Sequence, residues 1–382
     1  MKIVYAHNSD ISIKSANRVQ VLSMCKAFGK IGHSVVLAVP GNSLDIEKVE
    51  LEIVEEFGIK SDFRIRRIPV LSWGRRLRKY TSFLYLKRIL IEEAPDLFFT
   101  RDILYLSKGI AAGFPSIIEL HNNKFHIGSP WLDKYLTKKF LSLTNHKNLR
   151  LVIAISEQMR QFWIQRGIDA KKIIALHDGF DAEEFQQVVS KRECRTRLGL
   201  PHDQIIATYT GNLFPNRGVS KIIELAKHLQ QVLFVLVGGP ERFRVSLEAE
   251  ADQLSLKNVR FVGQIDHSLI KYYLYASDIL LGIWSKEVPT IGYCSPLKVF
   301  EYMASGRKIV AMGFPTILEV LRNDSNALIS DPENFEEFMG KVAQAVEGDD
   351  RIGLQARTEA FSKYSWTNRV KMLLEKRDPM DQ

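Results

Sequence analysis

The sequence predicts an α/β protein built from two Rossmann-like, doubly wound domains in tandem. Its 382 residues correspond to two domains at roughly 150 residues each. Short β-branched runs alternate with helix-periodic segments, which favours parallel βαβ units. A polar, charged stretch at 184–203 separates a first series of predicted strands from a second. We therefore expect two sheets facing each other across a cleft, the natural place for a substrate of two parts.

The elements follow in order along the chain. In the first half, Val21, Met24, Cys25, Phe28 and Ile31 repeat at helical spacing, and Gly32 can end that helix. The predicted strands of the first series are 2–6, 34–39, 63–68, 96–100, 116–120, 151–155 and 172–176. Those of the second series are 205–210, 232–237, 258–262, 278–283, 307–312 and 326–329. The predicted organisation is a first domain over 1–185, a linker over 186–203, a second domain over 204–355, and a C-terminal helical segment over 356–382.

Composition narrows the class of protein. With 46% hydrophobic and 25% charged residues, the chain is typical of globular proteins. No apolar run approaches the roughly 18–20 residues of a membrane span, and the N-terminus lacks the pattern of a secretory signal. Cys25, Cys194 and Cys294 are odd in number and far apart, which favours neither a disulfide framework nor a metal site. These features predict a reduced, cytoplasmic protein, with peripheral attachment to the inner membrane face as an addition.

Positive charge is concentrated in residues 60–88. That segment holds ten basic residues and one acid, 10 − 1 = +9, which equals the net charge of the whole chain, +9. Apolar and aromatic residues are interleaved with the cations, a composition typical of contact with anionic lipid. A solvated helix face is the alternative, with about equal weight. Nucleic acid is not expected, because no recognition motif accompanies the segment.

A segment with a strong helix-start signal lies at 295–306. Ser295 before Pro296 predicts an N-cap followed by a first helical residue, and Gly306 predicts the end. Lys298 in the first turn opposes the helix dipole unless an anion binds there. Glu301, one turn later, can accept hydrogen bonds from ribose hydroxyls. An ordinary amphipathic helix with a solvated Lys–Glu pair is the alternative.

Three further positions follow predicted strands and point to the same edge of each sheet. The turn from Gly211 to Gly218 contains Arg217, whose guanidinium suits phosphate, although the turn lacks the spacing of a P-loop. Gly238 and Gly239 allow a flat base to approach the backbone, or simply form a tight turn. His121 follows a buried strand, where a lone histidine is more often structural than catalytic.

These segments, in this order, resemble the GT-B glycosyltransferases, in particular retaining glycosyltransferase family 4. The resemblance covers most of the chain. It comprises Ser15-Ala16-Asn17-Arg18 and the helix ending Phe28-Gly29-Lys30-Ile31-Gly32-His33, then Ile155–Met159, His177–Asp181, Gly211–Gly218, Phe261–Ile265, Tyr272-Tyr273, Ala276–Asp278, Ser295–Ala304 and Tyr364–Trp366. It implies two facing Rossmann-like domains, with a C-terminal helix that crosses back to the first.

The resemblance also implies roles for individual residues. Glu301 matches the second Glu of the Glu-x7-Glu motif and would hold the nucleotide ribose. The backbone at Ser295, Pro296, Leu297 and Lys298 would face the diphosphate or the donor sugar, with Arg217 in place of the usual Lys. His121 would position the donor sugar, and Arg217, Lys298 and His121 are the residues expected to carry catalysis. The base would be bordered by Gly238, Gly239, Gly263, Gln264 and Ile265, and the donor site would also include Gly211, Asn212 and Tyr293. Ser15, Ala16, Asn17 and Arg18 would lie on the acceptor side.

Two positions depart from the family pattern. Tyr293 stands where the first motif Glu is expected, and Asn212 stands where an Arg is common. The predicted activity is transfer of a sugar, with retention, from a nucleotide-diphospho-sugar to an acceptor hydroxyl in bacterial surface polysaccharide or glycolipid synthesis. The donor is expected to carry UDP rather than GDP, the acceptor to be a glycan or lipid-linked glycan, and no metal or other cofactor to be required. An inverting GT-B transferase, a nucleotide-sugar 2-epimerase and a non-catalytic nucleotide-sugar-binding protein are the alternatives.

Overall fold

Two parallel sheets form the framework of the protein. A computed structural model of the chain describes residues 1–9, 11, 15–41, 63–70 and 74–376, with the backbone alone at 16 and 74–81. The chain divides into one unit of Met1–Asp178 and Trp366–Gln382 and a second unit of Gly179–Ser365. Each unit contains one of the sheets. The predicted fold class, α/β with two Rossmann-like parallel sheets, is confirmed.

The first sheet has seven strands in the order β3-β2-β1-β4-β5-β6-β7. The strands pair in parallel, with Val4 opposite Val36 on one side of β1 and opposite Phe98 on the other. The order reverses between β1 and β4, the topological switch point at which such sheets bind ligands. The strands are β1 Lys2–Ala6, β2 Ser34–Pro40, β3 Arg64–Ile68, β4 Leu97–Thr100, β5 Ser116–Leu120, β6 Leu149–Ala154 and β7 Ile173–Ala175.

The second sheet has six strands in the order β10-β9-β8-β11-β12-β13, also parallel. Its switch point lies between β8 and β11. The strands are β8 Ile205–Thr210, β9 Val232–Val237, β10 Val259–Gly263, β11 Ile279–Gly282, β12 Lys308–Met312 and β13 Leu328–Ser330.

Helices connect the strands, as parallel pairing requires. In the first unit they are α1 Ala16–Lys30, α2 Gly74–Glu93, α3 Ile103–Ala111, α4 Pro130–Thr144, α5 Glu157–Ile164 and, at the end of the chain, α15 Trp366–Lys376. In the second unit they are α6 Ala182–Gln186, α7 Lys191–Leu198, α8 Lys221–His228, α9 Glu241–Gln253, α10 His267–Ala276, α11 Leu297–Ser305, α12 Pro315–Leu318, α13 Phe335–Glu347 and α14 Arg351–Lys363.

The central strands are buried on both faces, which explains their nearly continuous apolar sequences. All six residues of β9 are buried, as are the four of β11. The same holds for β5, although its sequence SIIEL includes the charged Glu119. A buried carboxylate needs compensating partners, and those of Glu119 are described with the site.

The segment 186–203, expected from its charge to be a linker, contains α7 and belongs to the second unit. Arg195 on α7 is buried and donates to Asp278 Oδ2 at 2.6 Å and to the carbonyl of Ala276 at 2.9 Å. The division between the units falls at 178/179 and again at 365/366, while the sequence-based boundaries fall at 185 and 355.

Part of the positive charge of residues 60–88 is paired within the first unit. Arg64 and Arg66 on β3 form ion pairs with Glu93, and Arg66 and Arg88 form ion pairs with Glu92. The two acids lie just beyond the segment that was counted, so the local excess of charge is smaller than the sequence window indicates. Residues 60–62 and 71–73, and the side chains of 74–81, lie outside what the structure describes. In the described part of the chain, no helix is long and apolar enough to cross a membrane.

Candidate active site

Three glycine-containing loops meet at the carboxyl edge of the second sheet. They follow β8, β9 and β10 and are joined by backbone hydrogen bonds. Gly211 N–H donates to Val237 O at 2.9 Å, Leu213 N–H to Gly239 O at 2.7 Å, and Gly238 N–H to Gly263 O at 2.8 Å. The structure therefore brings together four of the glycines expected to border a nucleotide.

The contact between the first two loops requires glycine. Gly238 has a φ of +147°, and a Cβ built on it would lie 1.8 Å from the carbonyl oxygen of Gly211. Any side chain at position 238 would force the two loops apart. The close approach of two backbones is thus fixed by residue type.

Helix α11 begins at Leu297, one residue later than the Ser-Pro signal predicts. Pro296, whose side chain has no hydrogen-bond acceptor, occupies the N-cap position, so the expectation that Ser295 occupies it is wrong. Pro296 adopts a ψ of 115°, outside the helical region, and so lies before the helix rather than at its first position. Gly306 ends the helix in a left-handed conformation, as the sequence predicts. The N-cap residue thus offers no side-chain acceptor to the backbone N–H groups of the first turn, a position suited to an anion.

Lys298 lies in that first turn against two aromatic rings. Its Nζ is 4.0 Å from the ring centre of Tyr209 and 4.7 Å from that of Trp284. Burial, followed by the nearby Arg217 guanidinium, lowers the pKa of Lys298 to about 7. Among the residues that the structure describes, neither Lys298 nor Arg217 forms an ion pair. Two neighbouring cations at a switch point, neither with a carboxylate partner among these residues, strongly favour the binding of an anion.

Glu301, one turn along α11, is held by a residue from another helix. Its Oε1 is 2.8 Å from Nε2 of His267, the first residue of α10. A second carboxyl, Glu184 on α6, lies in the same electrostatic environment, and burial raises its pKa to about 7. His267 thus orients the carboxylate that the sequence assigns to a ribose.

Tyr302 fixes α11 to the end of β8. Its buried hydroxyl oxygen accepts from Thr210 N–H at 2.8 Å and bonds with Thr210 Oγ1 at 3.1 Å. Burial raises the pKa of Tyr302, so the phenol is neutral at physiological pH. The helix that carries Lys298 and Glu301 therefore has a defined position relative to the glycine loops.

The remaining residues expected at the donor site differ in placement. Asn212 is exposed, and its carbonyl accepts from the Tyr209 hydroxyl at 2.9 Å. Gln264 is exposed beside Gly239, whereas Ile265 is half-buried and packs against the hydrophobic core. Tyr293 is half-buried.

The first unit has a polar cavity at its own switch point. The cavity has a volume of about 230 Å³. It lies at the carboxyl ends of β1, β4 and β5. Its lining includes His7, Asn17, Arg101, Asp102, His121 and Lys124. A larger cavity of about 510 Å³ in the second unit borders Lys308, at the amino end of β12, on the opposite sheet edge from Lys298.

Below this cavity lies a buried network centred on Glu119. Glu119 Oε1 accepts from Gln20 Nε2 at 2.6 Å and contacts His121 Nε2, and Oε2 lies 2.8 Å from Arg369 Nη1. Burial works to raise the pKa of Glu119, but Arg369 and His121 outweigh it and hold the pKa well below its usual range. Burial and Arg101 lower the pKa of His121 to about 4. At neutral pH His121 is thus an uncharged imidazole whose Nε2–H donates to an ionised carboxylate, which leaves Nδ1 as an acceptor.

The predicted acceptor-side residues lie at the start of α1. Ser15 is the N-cap and accepts from Arg18 N–H at 3.2 Å. Asn17 lines the cavity, bonds through Nδ2 with His7 Nε2 at 3.2 Å, and accepts from Arg101. Arg18 is buried. The structure describes only the backbone of Ala16. Asn17 and His121, predicted separately, are therefore lining residues of one cavity.

Several residues of these sites escape sequence reasoning. The set comprises Tyr209, Trp284, His267, Tyr302, Arg101 and Arg369. Most of them contact a residue that the sequence predicts for the site. The distance along the chain between the two residues gives no indication of the contact. Glu119 had a usable signal, because a charged residue inside a continuous apolar strand predicts a buried ionic network. Within the described ranges, no group of three or more His, Cys, Asp or Glu residues has the arrangement of a metal site.

Two parallel sheets, each with a polar site at its switch point, define the class of two-domain GT-B proteins. The chain belongs to the group 1 glycosyltransferase family. Residues 190–364 match the family model described as "Glycosyl transferases group 1", and residues 18–184 match that described as "Glycosyltransferase Family 4".

Proteins that are similar to this chain in sequence or structure agree with this family assignment. A lipopolysaccharide 1,2-N-acetylglucosaminetransferase of Salmonella typhimurium is 23% identical over 232 residues, which cover 57% of this chain and 59% of that protein. A putative teichuronic acid biosynthesis glycosyltransferase of Bacillus subtilis is 26% identical over 188 residues, covering 47% and 44%. The chain thus matches about half the length of these relatives. The crystal structure of Anabaena HepE in complex with UDP and glucose superposes with a TM-score of 0.74 at 18% identity, covering 100% of both chains.

Proposed function

We propose that the protein is a glycosyltransferase that transfers a sugar from a nucleotide-diphospho-sugar to an acceptor hydroxyl with retention of configuration. The observation that carries the proposal is the pair of cations, Arg217 and Lys298, without a carboxylate partner among the described residues. They lie beside the start of α11, whose N-cap residue Pro296 has no side-chain acceptor. Holding two like charges together is unfavourable until an anion binds between them. A diphosphate has the charge and size to relieve that cost.

The chemistry explains why such a site is useful. Expelling a nucleoside diphosphate places growing negative charge on its β-phosphate while the sugar becomes oxocarbenium-like. Preorganised donors and cations stabilise that charge best. Arg217, Lys298 and the first-turn N–H groups of α11 would supply them, with no metal or other cofactor required. Glu301, oriented by His267, would accept hydrogen bonds from the ribose hydroxyls, and the glycine loops would border the base.

The base and the acceptor are also part of the proposal. We favour UDP, because two Anabaena HepE structures similar to this chain contain it. The acceptor would bind at the cavity of the first unit, where Asn17, Arg101 and His121 provide polar groups. The similar proteins named for lipopolysaccharide and teichuronic acid synthesis support a glycan or lipid-linked glycan of the bacterial envelope as the acceptor.

Nucleotide binding tests the site before any acceptor is known. Titration of UDP, GDP, ADP and dTDP against the full chain by calorimetry should give measurable affinity for UDP. Removing one charged hydrogen-bond partner typically costs about 1.5–3 kcal/mol. Arg217→Ala and Lys298→Met should therefore each weaken the affinity for UDP roughly tenfold or more. Arg242→Ala, an exposed cation on α9, is the matched control and should leave it unchanged.

Product analysis tests the reaction itself. With a UDP-sugar and a pool of envelope glycolipid, release of UDP that depends on the acceptor supports transfer, and the anomeric configuration of the product by NMR tests retention. An inverted product would replace the retaining mechanism. Conversion of the donor without an acceptor would indicate an epimerase. Tight nucleotide binding with no turnover in the presence of any acceptor would indicate a non-catalytic binding protein.

A further inference from the structure

An exposed aromatic surface lies on α4 and the loop before it. Ile127, Trp131 and Tyr135 are 89%, 75% and 54% exposed. Trp131 and Tyr135 are one helical turn apart, and their rings are stacked with centres 6.1 Å apart and an interplanar angle of 11°. Large apolar side chains that are this exposed and adjacent mark an interaction site more often than scattered ones do.

Lysines share this segment with the aromatic side chains, and by helical spacing the exposed Lys134 and Lys138 lie on the same face of α4 as Trp131 and Tyr135. Residues 124–139 contain four lysines and one acid, 4 − 1 = +3. The acid, Asp133, is already engaged, since its Oδ1 accepts from Phe125 N–H at 2.7 Å and from His126 N–H at 3.1 Å. We call this surface the lysine–aromatic face, defined by Ile127, Trp131, Tyr135, Lys124, Lys134, Lys138 and Lys139.

The lysine–aromatic face is held in place from behind. Ser129 caps α4 by accepting from Leu132 N–H, and the ring of Phe125 packs against Phe140 and Trp163, both buried. The two bonds to Asp133 join the loop to the helix. Since the exposed side chains are presented by a fixed loop and helix, binding would cost little ordering of the backbone.

The same loop forms a wall of the polar cavity in the first unit. His121, Asn122, Lys124 and Phe125 line the cavity, and Ile127 and Trp131 follow within a few residues. Lys124 therefore belongs both to the lining of the proposed acceptor site and to the lysine–aromatic face.

We propose that the lysine–aromatic face docks on the surface of an anionic lipid bilayer. Tryptophan and tyrosine are the side chains favoured at the membrane interface, and lysines beside them add electrostatic attraction to anionic headgroups. An exposed isoleucine fits the acyl boundary but offers nothing to a glycan, and the carboxylate of the face already has partners. This surface differs from residues 60–88, where Arg64, Arg66 and Arg88 are paired with Glu92 and Glu93.

Vesicle flotation tests the proposal without donor, acceptor or turnover, so its result is independent of the proposed transferase activity. The full chain should float with vesicles of phosphatidylcholine and phosphatidylglycerol and not with phosphatidylcholine alone, and high salt should weaken the binding. Lysines near an anionic surface contribute about 1 kcal/mol each, so Lys134→Ala with Lys138→Ala should weaken binding roughly thirtyfold. Trp131→Ala with Tyr135→Ala should also reduce it at least tenfold.

Matched variants distinguish the face from general surface properties. Leu354→Ser and Lys257→Ala replace an exposed leucine and an exposed lysine of the second unit and should bind vesicles like the parent. Trp163, Trp284 and Trp366 are buried, so in a Trp73→Phe background a blue shift of fluorescence on adding anionic vesicles should depend on Trp131. Unchanged melting temperatures would show that the surface variants fold.

Three outcomes would overturn the proposal. The first is no binding to anionic vesicles by the parent chain. The second is full binding by the double variants of the face together with loss in Lys87→Ala/Arg88→Ala, which would transfer the role to residues 60–88. The third is unaltered vesicle binding by Trp131→Ala/Tyr135→Ala with lost affinity for a soluble glycan, which would make the face a glycan site.

Discussion

In the proposed donor site, Lys298 would couple nucleotide binding to the uptake of a proton. Its pKa of about 7, set by burial and by Arg217, means that the amine of the free protein loses its proton as the pH rises above 7. A bound diphosphate favours the charged form and raises the pKa, so binding above pH 7 must take up a proton. The affinity for UDP should therefore fall between pH 7.5 and 9, by up to about tenfold per pH unit. The nucleotide is fully ionised in this range, because its phosphate pKa is about 6.

Calorimetry of UDP binding in Tris and in HEPES at pH 8 measures the protons taken up directly. Lys298→Arg keeps the positive charge but does not titrate, and should abolish both the proton uptake and the fall in affinity. Equal enthalpies in the two buffers for the parent chain would contradict the assignment of this titration to Lys298.

His267 holds Glu301 in position, so replacing His267 should weaken the binding of ligands that contain a ribose. The hydrogen bond of 2.8 Å to Glu301 Oε1 fixes the carboxylate that would hold the ribose. His267→Ala should weaken UDP by roughly tenfold, the value of one hydrogen bond to a charged group, and leave pyrophosphate, which lacks a ribose, nearly unchanged. Calorimetry with both ligands makes the comparison. His228→Ala removes an exposed histidine with a similar carboxylate contact, to Glu224, and serves as control. Equal losses for both ligands would place the effect on the fold rather than the ribose.

At the scale of elements, the contact of the β8 and β9 loops depends on Gly238. Gly238→Ala should destabilise the second unit by about 2–4 kcal/mol and abolish UDP binding, because its φ of +147° and the approach to Gly211 O leave no room for a Cβ. Gly340→Ala is the control. It lies inside α13 with nothing within 4 Å of its Cβ, and should stabilise by up to about 1 kcal/mol. Chemical denaturation and UDP binding on both variants give the comparison. A Gly238→Ala protein that binds UDP normally would show that the loops need not touch.

The sequence predicts the strands well because each central strand is buried on both faces and reads as an apolar run. The strands at 205–210 and 232–237 are predicted to the residue. Helix boundaries are less accessible, and α11 shows why. Ser295 and Pro296 are typical of a cap and a first helical residue, yet Pro296 has a non-helical ψ and the helix starts at Leu297. The preferences of individual residues predict the first residue of a helix only where tertiary packing does not determine it.

Some residues of the candidate site can be predicted because their type is unusual at that position. Examples are Lys298 at a helix start and Gly238 after a strand. The site is not predictable for residues that act through a contact across the fold. His267 is 34 positions from Glu301, and Tyr302 reaches Thr210 over 92 positions. No local pattern encodes such pairs, because each joins two elements that only the folded chain brings together.

At the scale of the whole molecule, the chain completes its first unit only at its last helix. The guanidinium of Arg369 on α15 is buried in the first unit and donates from Nε to His177 O at 2.7 Å and from Nη2 to Leu176 O at 3.1 Å, in addition to its ion pair with Glu119. The second unit is thus an insertion, in sequence, between two segments of the first. The negative charge of the buried Glu119 in this unit is therefore compensated only when Arg369 is in place.

Removing that cation should therefore destabilise the first unit strongly. Arg369→Met leaves the buried Glu119 carboxylate without its main counter-charge, which typically costs about 3–5 kcal/mol. Glu119→Gln/Arg369→Met removes both charges and should recover a large part of the loss, whereas additive losses would contradict a direct pair. Because Glu119 has a lowered pKa, the stabilisation by this pair is fully present above the unfolded carboxyl pKa of about 4.3. It is lost only as the pH falls through the lower pKa of the folded state.

Hydrogen exchange followed by mass spectrometry shows which unit is destabilised. In Arg369→Met, β5 and α15 should lose protection while β8 and β9 keep theirs. Arg322→Met, which removes the half-exposed partner of Glu359 in the second unit, should leave the protection of β5 and α15 unchanged.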